Sequence, residues 1–291
     1  MWAVVAGSII NARQSVVEST HRDAADLAGI FGGSVTRTFD NVAAAMGIVI
    51  ARMRVPGSNL DLYSWARDMP VIDGTTVQAV IVDPTGRLVA TTSEPHPQPV
   101  ELGDRSEFRA IAGNAGDGLI IGHAAVGQQN QFLVTLSRRV TGADGRFLGV
   151  VIFFVAPGRL TQLHNSIDIG SGGAIRIIGP DRTVLAGLDE SDPNDAGMIG
   201  KPVADSAYPA DISAGAQSSY IESSDRGASD RLHAYVRLAK YPVTVDASLD
   251  LGAALAPQQQ QTFILVILAG IGTLVLGGLS VILLREVAHR A

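Results

Sequence analysis

The chain has no cysteine, and that absence removes disulfides, thiolate metal ligands and cysteine nucleophiles together. It also lacks any run of Lys or Arg and any stripe in which basic and aromatic residues alternate. With a net charge of -6, such an acidic body argues against nucleic acid as a partner. The histidines, His21, His96, His123, His164, His233 and His289, show no metal-ligand spacing such as HxxxH. Glycine clusters at Gly32-Gly33 and Gly170-Ser171-Gly172-Gly173 form neither GxSxG nor a phosphate loop followed by Lys-Ser/Thr. The carboxylates have no neighbours that would force unusual ionisation and read as solvated surface. No catalysis, cofactor or metal site is expected.

What is present begins with a long hydrophobic run. Phe263 to Leu284 holds 22 residues without a charge, and at about 1.5 Å per residue it covers a hydrocarbon core of about 30 Å. A buried core helix is rarely so long and so uniformly apolar. Gln258 to Gln261 precede the run, and Arg285, Glu286, His289 and Arg290 follow it. The positive-inside bias places the C-terminus in the cytoplasm. Ala269, Thr273 and Gly277 form a small-xxx-small row, a pattern suited to helix–helix contact. Met1 to Ile10 is apolar but too short to span, and residues 1–14 read as the remnant of a first transmembrane helix. The segment between the two is then exported.

Residues 15–55 read as one long helix. Leu27, Phe31, Val35, Phe39, Val42, Met46, Val49 and Met53 recur at steps of four and three, a single apolar stripe. Pro56-Gly57 ends it, and Gly29, Gly32 and Gly33 allow a kink in its middle. Beyond it the period changes to two. Strands are predicted at Val77–Val82, Leu88–Thr92, Leu119–Gly122, Gln131–Arg138 and Phe147–Val155, with a short helix near Arg105–Ala112. Asp83-Pro84-Thr85-Gly86 and Thr141-Gly142-Ala143-Asp144-Gly145 are hairpin turns, so the sheet is antiparallel and the class α+β.

A linking helix is predicted over 157–167, and then the pattern repeats on a smaller scale. The spacing of Val82-Asp83-Pro84 through Leu88-Val89-Ala90 matches Ile178-Gly179-Pro180 through Val184-Leu185-Ala186, position for position. Strands at Ala174–Ile178, Val184–Ala186, Ser218–Glu222, Leu232–Val236 and Val243–Leu249 complete the copy. The expected organisation is two stacked modules, 56–156 and 157–255, then the membrane helix at 263–284 and a cytoplasmic stub at 285–291.

Several runs in this order resemble the double Cache sensor domains, PAS-like modules of bacterial diguanylate cyclases, histidine kinases and chemoreceptors. They are Asp104-Arg105-x-x-Phe108, Gly118-Leu119-Ile120-Ile121-Gly122, Leu136-Ser137-Arg138-Arg139 and Asp144 through Val151, with Tyr241-Pro242 before the last strand. The resemblance covers nearly the whole chain. It implies a small ligand held in the membrane-distal module, between the sheet and the loops and helix that cover it. Arg105 and Phe108 correspond to the arginine and aromatic that contact ligand in amino-acid-binding members, and a guanidinium offers a bidentate fork to a carboxylate. The chain departs from that pattern at Glu107, where an aromatic is usual, and Phe108 lacks a tyrosine hydroxyl. These departures count against an α-amino acid and leave an organic acid or another small polar metabolite open.

Other pocket candidates are Tyr63 and Trp65, as an apolar wall or as plain core, and His123, as a ligand donor or a solvent-facing residue. Ser137 and Arg138 end a strand at the expected pocket mouth, where Arg138 equally suits a surface ion pair. Two functions follow. The first is an extracytoplasmic receptor domain in the inner membrane that signals through its membrane helix to a separate cytoplasmic output protein. The second is a membrane-tethered binding module without signalling output. The long helix also allows pairing into a homodimer.

Overall fold

The computed structural model describes residues 2–290 apart from 56, 58–59, 69–75, 115, 128–129, 163–166, 171, 191–194, 204–212 and 224–228. The apolar stripe forms a single helix, α1 (Trp2–Met53). It begins well before residue 15, so the segment read as a membrane remnant is continuous with the long helix rather than separate from it. No proline lies between them, and the helix runs on through the polar residues Asn11, Arg13 and Gln14. Phe31, Val35, Phe39, Val42, Met46 and Val49 are fully buried, as the spacing predicts. Gly32 serves close approach: a Cβ there would stand 3.0 Å from Val236 Cγ1 and 3.2 Å from Leu238 Cδ2.

After α1 come α2 (Leu62–Asp68), β1 (Thr76–Val82), β2 (Leu88–Thr91), α3 (Ser106–Gly113), β3 (Ile120–Val126), β4 (Phe132–Thr141) and β5 (Phe147–Val155). The single turn α4 (Pro157–Leu160) leads to β6 (Ala174–Ile178), β7 (Val184–Asp189), a 3-10 turn at Asp195–Met198, β8 (Gln217–Glu222), β9 (Arg231–Arg237) and β10 (Thr244–Asp250). The linking helix expected over 157–167 is thus one turn long where it is described, consistent with a start at Pro157-Gly158 that favours initiation over propagation. Residues 163–166, and Pro56 of the predicted helix stop, lie outside the described residues.

The strands form two antiparallel five-stranded sheets with equivalent orders, β2-β1-β5-β4-β3 and β7-β6-β10-β9-β8. Both lay one face on α1. Ala79, Ile81, Val151, Phe153, Val134 and Leu136 of the first sheet share one continuous core with Ile175, Ile177, Val245 and Ala247 of the second. Burial of this stripe supplies the main stabilisation, at roughly 25 cal/mol per Å² of apolar surface. Asp40 of α1 adds a polar link, accepting from Tyr241 Oη at 2.6 Å and from Lys240 Nζ. The Tyr241 ring meets Phe39 edge-on, with centroids 5.2 Å apart.

The final helix, α5 (Leu251–Arg290), follows β10 without an intervening residue. Asp250 caps it, with Ala253 N donating to Asp250 Oδ1 at 3.0 Å and Ser229 Oγ at 2.5 Å. Burial alone would raise the Asp250 pKa, but these donors and nearby Arg231 outweigh it and hold the group below the usual carboxylate range. Leu251–Leu279 is long and apolar enough to cross a membrane, with mean hydropathy 2.4 in its most apolar stretch. Phe263, Leu268, Leu274 and Leu276 project outward, each more than half exposed. Ala269 is instead buried, and Thr273 accepts from Trp2 Nε1 at 3.2 Å. The small-residue row therefore meets the first turn of α1 at Thr273.

Candidate functional site

Antiparallel register fixes which side chains share a face. On the sheet of β1–β5, Val80, Ile152 and Ser137 form one row away from α1, Val82, Val150 and Arg139 a second, and Gln78, Phe154 and Thr135 a third. Helix α3 lies over this outer face. Phe108 and Ile111 pack from α3 onto Val80, Val82 and Val150, and the Phe108 ring stands 6.2 Å from that of Phe147. Polar groups lie among them: Ser137 and Thr91 are buried, and Gln78 Nε2 donates to Thr91 Oγ1 at 3.1 Å. Arg139 places its guanidinium 4.4 Å from the Phe147 ring and donates to the Ala112 carbonyl near the end of α3.

Arg105 stands at the N-cap position of α3, with extended backbone (φ -70, ψ 135) and no side-chain cap bond. Its side chain is exposed. The neighbouring Arg109 donates back to Asp104 O at 2.7 Å. An exposed guanidinium at a helix start, where the first backbone N–H groups also point outward, is an arrangement suited to a carboxylate.

The expected candidates do not all converge. Phe108 and Ser137 lie on the outer face, and Arg105 stands at its rim. Arg138 lies on the opposite face, registered with Val151. There it donates to Ala43 O of α1 at 3.4 Å and to Asp117 O at 3.0 Å, and pairs with Asp117 Oδ1 at 3.6 Å. Adjacent strand residues point to opposite faces, so a site holding Ser137 excludes Arg138 and includes Arg139. Trp65 also faces the α1 side, under the Arg52 guanidinium at 4.7 Å. Tyr63 is half-buried on the same short helix, α2. His123 is exposed on edge strand β3, where the register with β4 shifts between Ile121 and Ala124. The side chain of Glu107 lies outside the described residues. Gln78, Thr91 and Arg139 were not anticipated, although strand alternation from Ser137 would have pointed to Arg139.

Several solved structures share this architecture. The extracellular domain of a protein described as a histidine kinase, rpHK1S-Z16, superposes with TM-score 0.64 at 20% identity, covering 80% of this chain and 95% of that one. The ligand-binding domain of the Pseudomonas fluorescens chemoreceptor CtaA, in complex with L-isoleucine, gives 0.63 at 12% identity over 84% and 98%. That of the Pseudomonas aeruginosa amino-acid chemoreceptor PctC, with GABA, gives 0.58 at 16% over 79% and 100%. The chain has the double Cache sensor-domain fold. No protein-family model matches this chain, and no curated protein matches its sequence. The likeness is therefore one of structure, carried by the two sheets on a shared helix.

Proposed function

We propose that the chain is the extracytoplasmic sensing part of a bacterial membrane receptor, which binds a small polar or anionic metabolite and passes a displacement to its membrane helix. In this reading residues 56–156 are the membrane-distal module and 157–255 the proximal one. Leu251–Leu279 lies in the inner membrane, with the C-terminus cytoplasmic, and output is carried by a catalytic protein or domain other than these modules.

The observation that carries the reading is the direct join of β10 to α5 between Asp250 and Leu251. A change in the proximal sheet reaches the membrane helix through one capped peptide junction, with no linker to absorb it. The contact of Trp2 with Thr273 also puts the start of α1 beside the same membrane segment. Helix α1 packs on both sheets, so a rearrangement under α3 has a path to the bilayer along it. Signalling further requires that ligand favour one of two arrangements.

The binding site in this proposal is the outer face beneath α3, with Phe108, Ser137, Thr91, Gln78 and Arg139 lining it and Arg105 as the carboxylate anchor. L-isoleucine and GABA, bound by two of the similar chemoreceptor domains, each carry a carboxylate. The test is a thermal-shift screen of the full chain in detergent against carboxylates, amino acids and polyamines. A carboxylate is expected to stabilise the protein, and Arg105→Ala to abolish the shift. A shift of unchanged size in the variant would remove Arg105 from the site.

A further inference from the structure

The outer face of the second sheet is charged where that of the first is largely apolar. Asp246 of β10 is buried, with 1% of its side chain exposed. Its Oδ2 meets His233 Nδ1 at 2.9 Å, and His233 Nε2 meets Glu222 Oε2 at 3.1 Å. The imidazole is fully buried and stacks on Tyr220, with centroids 4.7 Å apart and planes within 9°. One carboxylate oxygen is thereby satisfied. The other, Oδ1, is buried without a hydrogen-bond partner among the described residues.

Register places Arg176 of β6 directly opposite Asp246, and Arg176 Nε is likewise buried without a partner. Opposite charges directly across two strands ordinarily attract, and a buried polar atom left unpaired is costly. Here an orphaned acceptor and an orphaned donor occupy neighbouring strands on one face. Arg231 Nε is a further buried donor without a partner among the described residues, although its Nη2 donates to Gly172 O and Ser248 Oγ.

We infer that this face is a second small-molecule site, one that takes an uncharged amide. The ligand N–H donates to Asp246 Oδ1, and its carbonyl oxygen accepts from Arg176 Nε. The fixed charges beside the orphaned atoms already match in pairs: Asp246 with Arg176, and Asp250 with Arg231 across the β9–β10 register. A charged ligand would leave one charge unmatched in a buried setting. A planar amide offers one donor and one acceptor side by side, which is what the two orphaned atoms require. The site is independent of the reading beneath α3.

The test uses the full chain in lipid nanodiscs and ligand-observed saturation-transfer NMR, with acetamide as the probe and acetate and methylammonium as charged comparators. Acetamide is expected to receive saturation and each ion to bind at least tenfold more weakly. Arg176→Met, which keeps the apolar stem, and Asp246→Asn should each weaken acetamide at least tenfold, while Arg105→Ala leaves it unchanged. If Asp246→Asn does not fold by circular dichroism, Arg176→Met decides. Absent saturation, equal saturation in Arg176→Met, tighter binding of either ion, or loss in Arg105→Ala would each overturn the proposal. A thermal screen in which no carboxylate stabilises the protein removes the site under α3 and leaves this one standing.

Discussion

The two sheets have equivalent strand order and share one helix, yet their outer faces are built from different chemistry. The first covers its outer face with Phe108 and Ile111 from α3, over Val80, Val82 and Val150. The second sets His233, Asp246, Thr244 and Ser248 on the corresponding side, all buried. Their hairpins differ too. Gly86 turns the first with φ 90, and Arg182, in the equivalent position of the second, adopts φ 62. Inward positions, which meet α1, determine the architecture and are alike in kind. Outward positions are free of that constraint, and there the modules diverge. Fold and ligand chemistry are thus carried by alternate residues of the same strands.

The contrast can be broken at several points. Phe108→Ala should have the largest effect, about 3–4 kcal/mol of lost stability, read as a lower urea midpoint with unchanged slope. A much smaller loss would mean that α3 is not held by this ring. His233→Ala should cost about 3 kcal/mol, because it strips the remaining partner from buried Asp246, whereas Ser137→Ala on the first sheet should cost about 1 kcal/mol. Equal costs would erase the difference in polarity between the faces.

Gly86→Ala should lose about 2 kcal/mol, since the added Cβ would fall 2.2 Å from Gly103 Cα and φ is left-handed. Its counterpart already carries a side chain, so Arg182→Ala is expected to stay within about 1 kcal/mol.

The smallest effect should come from the polar link between α1 and the second module. Asp40→Asn is expected to cost under about 1 kcal/mol, because the carboxylate is 41% exposed and solvent screens the pair. The bonds from Lys240 and Tyr241 lower the Asp40 pKa against the opposing effect of burial. This contribution is therefore present above about pH 4 and fades as pH falls through the depressed folded value. Burial and the Asp40 carboxylate raise the Tyr241 pKa well above its ordinary value, so its share persists below about pH 10 and is lost as pH rises toward the folded value. Thermal midpoints of wild type and Asp40→Asn should converge in acid, and constant separation would exclude the link.

Much of this architecture was legible from periodicity. The stripe from Phe31 to Val49 and the hairpin echo between Val82 and Ala186 located α1 and both sheets, because burial on one face imposes period 3.6 on a helix and period 2 on a strand. The site was less legible. Arg105 and Phe108 were singled out by the family resemblance rather than by any local pattern, and Arg139 was passed over for Arg138, which alternation sends to the α1 side. His233, Asp246 and Arg176 lie far apart in sequence and meet only through the order β6-β10-β9. No local pattern marks such a cluster, since strand order is a property of the whole sheet. The long helix starts before residue 15 because helical continuity carries the apolar turns at Trp2–Ile10 into the same helix.

Cross-linking between the two helices tests signalling itself, and a chain with no cysteine makes it unambiguous. Ile9 and Val266 line one groove between α1 and α5, so the double variant Ile9→Cys, Val266→Cys reports their spacing in the full chain in nanodiscs. The carboxylate that stabilises best in the thermal screen should change the oxidative cross-linking rate at least threefold, and Arg105→Ala should restore the ligand-free rate. Saturating carboxylate with an unchanged rate would contradict the account and leave a tethered binding module in its place.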